Sequence, residues 1–98
     1  MVTSGTDPKS TNGPDPVDVL TFPNTGREST LVISNASIYE GWFSVDGGAS
    51  WSFLPGSETL TIQARFPAGK ALKIKRSGRL SAGSNYQELT NVYASVFE

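Results

Sequence analysis

The sequence is organised around eight consecutive residues, Ser44-Val45-Asp46-Gly47-Gly48-Ala49-Ser50-Trp51. Two runs rich in aromatic residues, 41–45 and 51–54, flank a tip of glycine, aspartate and serine, which is the pattern of a β-hairpin. Gly47 and Gly48 can adopt positive φ without a Cβ clash, and the Asp46 carboxylate can accept hydrogen bonds from nearby backbone N–H groups. The octet therefore predicts a hairpin in which Asp46 has a structural role.

The spacing of this octet resembles the Asp-box, a hairpin motif of sialidases and of other secreted or viral β-proteins. The pattern Ser-x-Asp-x-Gly-x-Ser-Trp is matched at Ser44, Asp46, Gly48, Ser50 and Trp51. The resemblance implies a structural motif, since Asp-boxes usually lie away from catalytic centres. A sialidase-like propeller needs several blades of about 40–50 residues each. This chain has one motif in 98 residues, so its length excludes a propeller.

Composition limits the chemistry of the chain. Its 98 residues, 37% of them hydrophobic, can form one domain that buries roughly 60–65% of its unfolded surface. With no cysteine and no histidine, it lacks thiol nucleophiles, disulfides and the commonest general base and zinc ligand. A catalytic carboxylate pair is not indicated, because Asp46 belongs to a turn and Glu40 and Glu58 have no identifiable cleft. We predict a protein that is not an enzyme and binds no cofactor or metal.

Targeting signals are also missing from the sequence. No apolar run approaches the roughly 20 residues that cross a bilayer, and the N-terminus has neither the basic start nor the apolar segment of a signal peptide. We therefore expect no membrane contact and no export by a signal peptide. Asn35-Ala36-Ser37 has the form of an N-glycosylation site. Without a secretory route, we interpret Asn35 as a turn residue.

Residues 1–16 differ from the rest of the chain. Apart from three prolines, they contain no apolar side chain after Val2. A segment of this composition buries too little apolar surface to offset the conformational entropy lost on ordering, and proline favours extended geometry. We predict a flexible N-terminal arm over 1–16 that forms no strand, followed by a β-sandwich domain over 17–98. The arm is either a disordered tail or a segment that becomes ordered on a larger particle.

The remainder reads as short strands separated by turn residues. The predicted strand segments are 17–22, 29–34, 41–45, 51–54, 58–66, 70–76 and 86–97. Alternation is clearest in 58–66, where Leu60, Ile62, Ala64 and Phe66 share one face. This predicts an all-β fold, a small antiparallel β-sandwich or partly open barrel of about seven strands. A helix over 86–97 is the alternative for the last segment.

Basic residues are concentrated in one part of the sequence. Residues 65–79, the basic span, hold six of the eight lysines and arginines and no acid. The candidate partner-binding residues within it are Arg65, Lys70, Lys73, Lys75 and Arg76. A solvated strand face and a contact with an acidic protein surface both explain this pattern. Nucleic acid is disfavoured, because the span lacks interleaved aromatic residues and the net charge is −1.

Aromatic residues cluster at the predicted hairpin. Trp42 and Phe43 are adjacent in a strand, so their side chains point to opposite sides of the sheet. We predict that Phe43 faces the core and that Trp42 faces outward, where it could contact a protein partner or stack on a sugar ring. Trp42 is therefore the sixth candidate partner-binding residue.

The whole chain resembles the small β-sandwich structural proteins of tailed bacteriophage particles, especially capsid decoration or cement proteins. The resemblance is carried by the Pro/Gly/Ser/Thr-rich arm and by a cysteine-free β-domain that contains Asp46-Gly47-Gly48-Ala49-Ser50-Trp51 followed by Leu54-Pro55. It implies a non-enzymatic protein that is made in the host cytoplasm and located on the capsid surface. It also implies a homo-oligomer, often a trimer, whose arm or sheet edge contacts the major capsid protein or another virion protein. A tail or baseplate component and a carbohydrate-binding adhesion module are the alternatives.

Overall fold

The computed structural model describes residues 2–5, 7–23, 25, 27–78 and 87–98. These residues form eight strands and no helix, which confirms the all-β prediction. The strands are β1 (Val2–Gly5), β2 (Val17–Thr21), β3 (Glu28–Asn35), β4 (Gly41–Ser44), β5 (Ser52–Leu54), β6 (Glu58–Arg65), β7 (Ala71–Arg76) and β8 (Val92–Phe97). Seven of them lie in 17–98, as predicted, and the eighth lies in the N-terminal arm.

The strands form two antiparallel sheets of four strands each. Sheet A has the order β1-β8-β3-β6, and sheet B has the order β2-β7-β4-β5. Among these neighbours, only β4 and β5 are consecutive in the chain, where the predicted hairpin joins them. Every other pairing joins distant segments, and every connection between successive strands except that between β4 and β5 takes the chain from one sheet to the other.

The core lies between the two sheets and follows from side-chain alternation. In β3, Leu31 and Ile33 are fully buried while the intervening residues are only partly covered. Leu72 and Ile74 of β7, in sheet B, belong to the same core cluster and are equally buried. Fully burying side chains of this size contributes about 1.5–3 kcal/mol each. The Phe22 and Phe66 rings, stacked with centroids 4.7 Å apart, add to this core.

The N-terminal arm contributes to sheet A. Val2–Gly5 forms β1 and pairs with β8, so the expectation that residues 1–16 contain no strand is wrong. Further along the arm, the Lys9 N–H donates to the Val92 carbonyl and the Val92 N–H donates to the Lys9 carbonyl, both at 2.9 Å. A count of apolar side chains does not detect this strand, because backbone groups hold the arm against the outer edge of β8.

The last predicted segment is only partly a strand. β8 begins at Val92, and residues 87–91 belong to neither a helix nor a strand, so the helical alternative for this segment is wrong. Leu89, in this irregular stretch, is fully buried and packs against Gly41. Residues 79–86, which include Arg79 of the basic span, lie outside the described residues.

Candidate interaction surface

The Asp-box octet forms the predicted hairpin and closes on the Asp46 carboxylate. Ser44 Oγ donates to Asp46 Oδ1 at 2.6 Å. The Ser50 N–H donates to the same oxygen at 3.0 Å, and Ser50 Oγ donates to Asp46 Oδ2 at 2.7 Å. These bonds, first that from Ser44 and then those from Ser50, lower the pKa of Asp46 far below its usual value of 3.8. The carboxylate is thus committed to holding the turn.

The tip of this hairpin docks on the neighbouring strand β7. Gly47 and Gly48 have φ of 77° and 103°, values that favour glycine. The Gly47 N–H donates to the Ala71 carbonyl at 3.1 Å. A Cβ at position 48 would lie 3.5 Å from the Lys73 side chain and 3.7 Å from the Trp51 ring. The box therefore positions Trp51 beside β7.

A row of large side chains crosses the outer face of sheet B. Trp42 of β4 lies opposite Lys75 of β7 on one side and opposite Phe53 of β5 on the other. The Trp42 and Phe53 rings meet edge to face, with centroids 5.8 Å apart and planes at 76°. Phe43 is buried, so the predicted outward direction of Trp42 is confirmed. Trp42 itself is half-buried, whereas Phe53 is 49% exposed.

Lys75 links this row to the hairpin tip. Its Nζ lies 4.2 Å from the centroid of the Trp51 ring, within the range of a cation–π interaction. We call Trp42, Trp51, Phe53 and Lys75 the aromatic–lysine face. Phe53 is not among the partner-binding residues predicted from the sequence, although a hairpin register that pairs residues 42 and 53 would have placed it beside Trp42.

The basic span does not form one continuous surface. Arg65 lies in sheet A opposite Glu28, because β6 and β7 belong to different sheets. Lys70 is exposed in the turn before β7. Lys73 forms an ion pair with Asp18, which lies opposite it on β2. Of the five basic candidates, only Lys73 and Lys75 therefore share the outer face of sheet B with Trp42.

Arg76, the fifth basic candidate, belongs to a cluster that ties the arm to β7. Its Nη1 lies 2.6 Å from Glu88 Oε2. Thr11 Oγ1 donates to Glu88 Oε1 at 2.7 Å, and the Gly13 N–H donates to Glu88 Oε2 at 3.2 Å. Partial burial raises the pKa of Glu88, but the bonds from Thr11, Arg76 and Gly13 outweigh it and lower the pKa below its usual value. Nothing in the sequence pattern pointed to this cluster.

Asn35 organises a second polar cluster, at the end of β3. Its side chain is buried, and its Nδ2 donates to the carbonyls of Tyr39 at 2.9 Å and Pro55 at 3.1 Å. Its Oδ1 accepts from the Ser37 N–H at 3.0 Å. Ser37 Oγ in turn accepts from the Thr90 N–H at 2.7 Å. Asn35 therefore shapes the turn that follows it, as expected, and its amide is not available to an external group.

The outer face of sheet A has a different character. Three rows of side chains cross β8, β3 and β6, and none of these side chains is charged. We call them the neutral face, and its residues are Tyr93, Ser34 and Thr59, then Ser95, Val32 and Thr61, then Phe97, Thr30 and Gln63. Apart from the exposed Glu28–Arg65 pair at one end of β3 and β6, the outer face of sheet A is thus neutral and rich in hydroxyls, whereas the outer face of sheet B carries aromatic rings and lysines.

Comparison with protein-family models, with curated proteins and with solved structures gives no match to this chain. In the described part of the chain, no helix has the length and apolarity needed to cross a membrane. The same residues contain no group of three acidic side chains placed to hold a metal ion.

Proposed function

We propose that this chain is a non-enzymatic structural protein of a phage particle, a capsid decoration or cement protein that binds and stabilises the head from its outer surface. Its partner in this proposal is the major capsid protein or another virion protein. The phage assignment rests on the resemblance of the sequence. The observation that carries the binding role is the aromatic–lysine face, which the fold exposes on one side of the sandwich.

The aromatic–lysine face has the features of an anchor for a protein partner. Aromatic residues are enriched at the centres of protein interfaces, where they supply large contact areas at low entropic cost. Half of the Phe53 side chain is exposed, and covering about 100 Å² of it would contribute about 2 kcal/mol. Lys75 lies beside the rings, and Lys73, which is paired with Asp18, lies two residues away on the same strand. A partner with an apolar patch and an acidic group placed to meet Lys75 fits this face.

The orientation of the rings favours a protein partner over a sugar. Trp42 and Phe53 meet at 76°, so they do not form one flat platform on which a pyranose ring could lie. A carbohydrate-binding adhesion module remains the alternative that would use these same rings, and a tail or baseplate component would share the fold. A glycan array separates the first alternative from the proposal, and copy number per particle separates the second, because cement proteins are present in many copies.

The neutral face would point away from the head in this arrangement. It lies on the other side of the sandwich from the aromatic–lysine face, because the two are the outer faces of opposite sheets. The arm is hydrogen-bonded to the chain's own β8 and Glu88. The contact with the head is therefore assigned to the face of sheet B, and the arm supports the domain itself.

The direct test is reconstitution on heads that lack this protein. Wild-type protein should bind such heads and raise their resistance to heat or osmotic shock. Phe53→Ala should weaken binding by at least tenfold, because it removes the exposed anchor of the face. Tyr93→Ala is the matched control, since it removes an exposed ring from the neutral face. Equal binding by the wild type and Phe53→Ala, or unchanged resistance of heads carrying the wild type, would count against the proposal.

A further inference from the structure

The four sheet edges among the described strands differ in how well they resist strand addition. Proteins block such edges with short strands, bulges, prolines or charged side chains. β1 has a register shift between Val2 and Ser4, and β2 has one between Asp18 and Leu20. β5 is only three residues long. Three of the four edges therefore carry a feature that interrupts pairing.

β6 is the exception. It is eight residues long and pairs with β3 in continuous register from Glu58 to Arg65. Residues 58–65 contain no proline and no lysine. Its only neighbour among the described strands is β3. Because alternate backbone groups of an edge strand point away from its neighbour, β6 presents a long, regular row of donors and acceptors.

The core is also incompletely covered at this edge. Leu31 and Ile33 of β3 are fully buried, whereas Ile62 and Leu60, which lie opposite them on β6, are only partly buried. Ala64 is partly buried as well. The apolar rows of sheet A therefore end at β6 with side chains that a further strand could cover.

We propose that β6 is the pairing edge for a second copy of this chain. Two β6 strands add to each other antiparallel around a two-fold axis and join two copies of sheet A into one eight-stranded sheet. Two residues that face each other across such an axis must both have even numbers or both have odd numbers. The reason is that the inner-facing side chains of both copies lie on the same side of the joined sheet. In the register centred on Ile62, that residue faces itself, Leu60 faces Ala64, and Thr61 faces Gln63.

The charge pattern of β6 favours a second copy in this orientation. Glu58 and Arg65 stand at opposite ends of the strand, and the six residues between them are uncharged. Glu58 lies on the same side of the strand as Leu60, and Arg65 lies on the same side as Thr61, so the two side chains do not form a direct cross-strand pair. Antiparallel pairing nevertheless places the Glu58 end of each copy beside the oppositely charged Arg65 end of the other, whereas parallel pairing would place like charges side by side. The two-fold axis makes this end-to-end contact occur twice. The strand is therefore complementary to itself.

This inference does not depend on the proposed phage function. It concerns the edge of sheet A, while the proposed head contact uses the outer face of sheet B. The two also differ in stoichiometry, because pairing of β6 strands yields dimers and the resemblance implies trimers. Failure of one therefore leaves the other open to its own test.

The test is the association state of the full chain. Sedimentation velocity from about 1 μM to about 1 mM should show a monomer–dimer equilibrium. Thr61→Lys should weaken it by at least tenfold, because it adds one positive charge to each copy and the two lysines become diagonal neighbours on one face of the joined edge, where they repel each other. Thr21→Lys is the matched control, an exposed threonine on the edge strand β2, and it should leave the dimer unchanged. Both variants should melt at the wild-type temperature, since both side chains are exposed.

A mixing experiment tests the register. Because Thr61 faces Gln63 of the second copy, a mixture of Thr61→Lys and Gln63→Glu should restore association at least tenfold over Thr61→Lys alone. No rescue would overturn the register centred on Ile62. A wild-type chain that stays monomeric throughout, or an equal effect of Thr61→Lys and Thr21→Lys, would overturn the pairing itself.

Hydrogen exchange identifies which segment of the second copy pairs with β6. The amides among residues 58–65 that point away from β3 should become protected as the protein concentration rises, while those of β2 and β5 should not. Concentration-dependent protection that appears in residues 2–5 as well would identify the arm of a neighbouring copy as the added strand, and it would overturn pairing between two β6 strands.

Discussion

Thr11 Oγ1 donates a 2.7 Å hydrogen bond to Glu88 Oε1, joining two residues that are 77 positions apart in the chain. The same hydroxyl accepts from the Leu89 N–H at 2.8 Å, and the Thr11 N–H donates to the Leu89 carbonyl at 2.9 Å. Thr11 is therefore bound through both its side chain and its backbone. Through it, the polar N-terminal arm is held to the segment that precedes β8.

Glu88→Gln should loosen the arm without disrupting the sandwich. Glutamine keeps the size of the side chain but loses the charge that binds Arg76, Thr11 and the Gly13 N–H. Hydrogen bonds to charged groups contribute about 1.5–3 kcal/mol, and partial exposure reduces this. We expect the Lys9 and Thr11 amides to exchange roughly tenfold faster, the factor for about 1.4 kcal/mol. Glu58→Gln, at an exposed site, is the control. Unchanged exchange of the Lys9 and Thr11 amides in Glu88→Gln would show that Glu88 does not hold the arm.

The stabilisation by Glu88 should depend on pH. Folding lowers its pKa below the usual 4.5, so the folded state binds the proton less tightly than the unfolded chain. The contribution is therefore fully present above pH 4.5 and is lost as the pH falls through the lower folded value. Urea unfolding should show the largest difference between wild type and Glu88→Gln at neutral pH and a shrinking one in acid. A difference that is constant with pH would contradict this.

Asp46→Ala should lower the melting temperature by several degrees. The substitution leaves Ser44 Oγ and the Ser50 N–H without their shared acceptor and releases the turn. Thermal unfolding followed by circular dichroism is the measurement, and Asp15→Ala, an exposed acid in the arm, is the control. If melting is unchanged while partner binding is lost, the box belongs to the binding surface and its structural role is refuted.

Gly41→Ala should destabilise the fold through overpacking. An added Cβ would lie 2.5 Å from the Lys75 carbonyl oxygen and 2.8 Å from Leu89 Cδ1. The carbonyl belongs to the adjacent strand, so relief requires the β4 and β7 strands to separate. We expect a loss of about 1–3 kcal/mol in the free energy of unfolding. Ser52→Ala, at an exposed position on β5, should change it little, and equal stability of the two variants would show that the contact is not tight.

Asn35→Ala should be costly for a different reason. It removes the partner of the Tyr39 and Pro55 carbonyls and of the Ser37 N–H inside a closed cluster. Leaving a buried polar group unsatisfied costs about 1–3 kcal/mol, so denaturant unfolding should report a loss of at least about 2 kcal/mol. Asn12→Ala, at an exposed site in the arm, provides the comparison. A loss no larger than that of Asn12→Ala would show that water replaces the amide.

The sequence by itself determined what depends on neighbours in the chain. The Asp-box spacing predicted the hairpin and the acceptor role of Asp46, because a turn is built from consecutive residues. Alternation predicted that Phe43 faces inward and Trp42 outward, and that 58–66 presents one apolar face, because side chains in a strand alternate with a period of two.

Only the tertiary structure decided which strands are neighbours. It placed β6 and β7 in different sheets, which separates Arg65 from Lys73. It brought Thr11 to Glu88 and paired the arm with β8. These contacts depend on which sheet edges satisfy the hydrogen bonds of distant segments, and that choice is made by the whole chain at once. No local window of sequence contains it, because backbone donors and acceptors are the same in every strand.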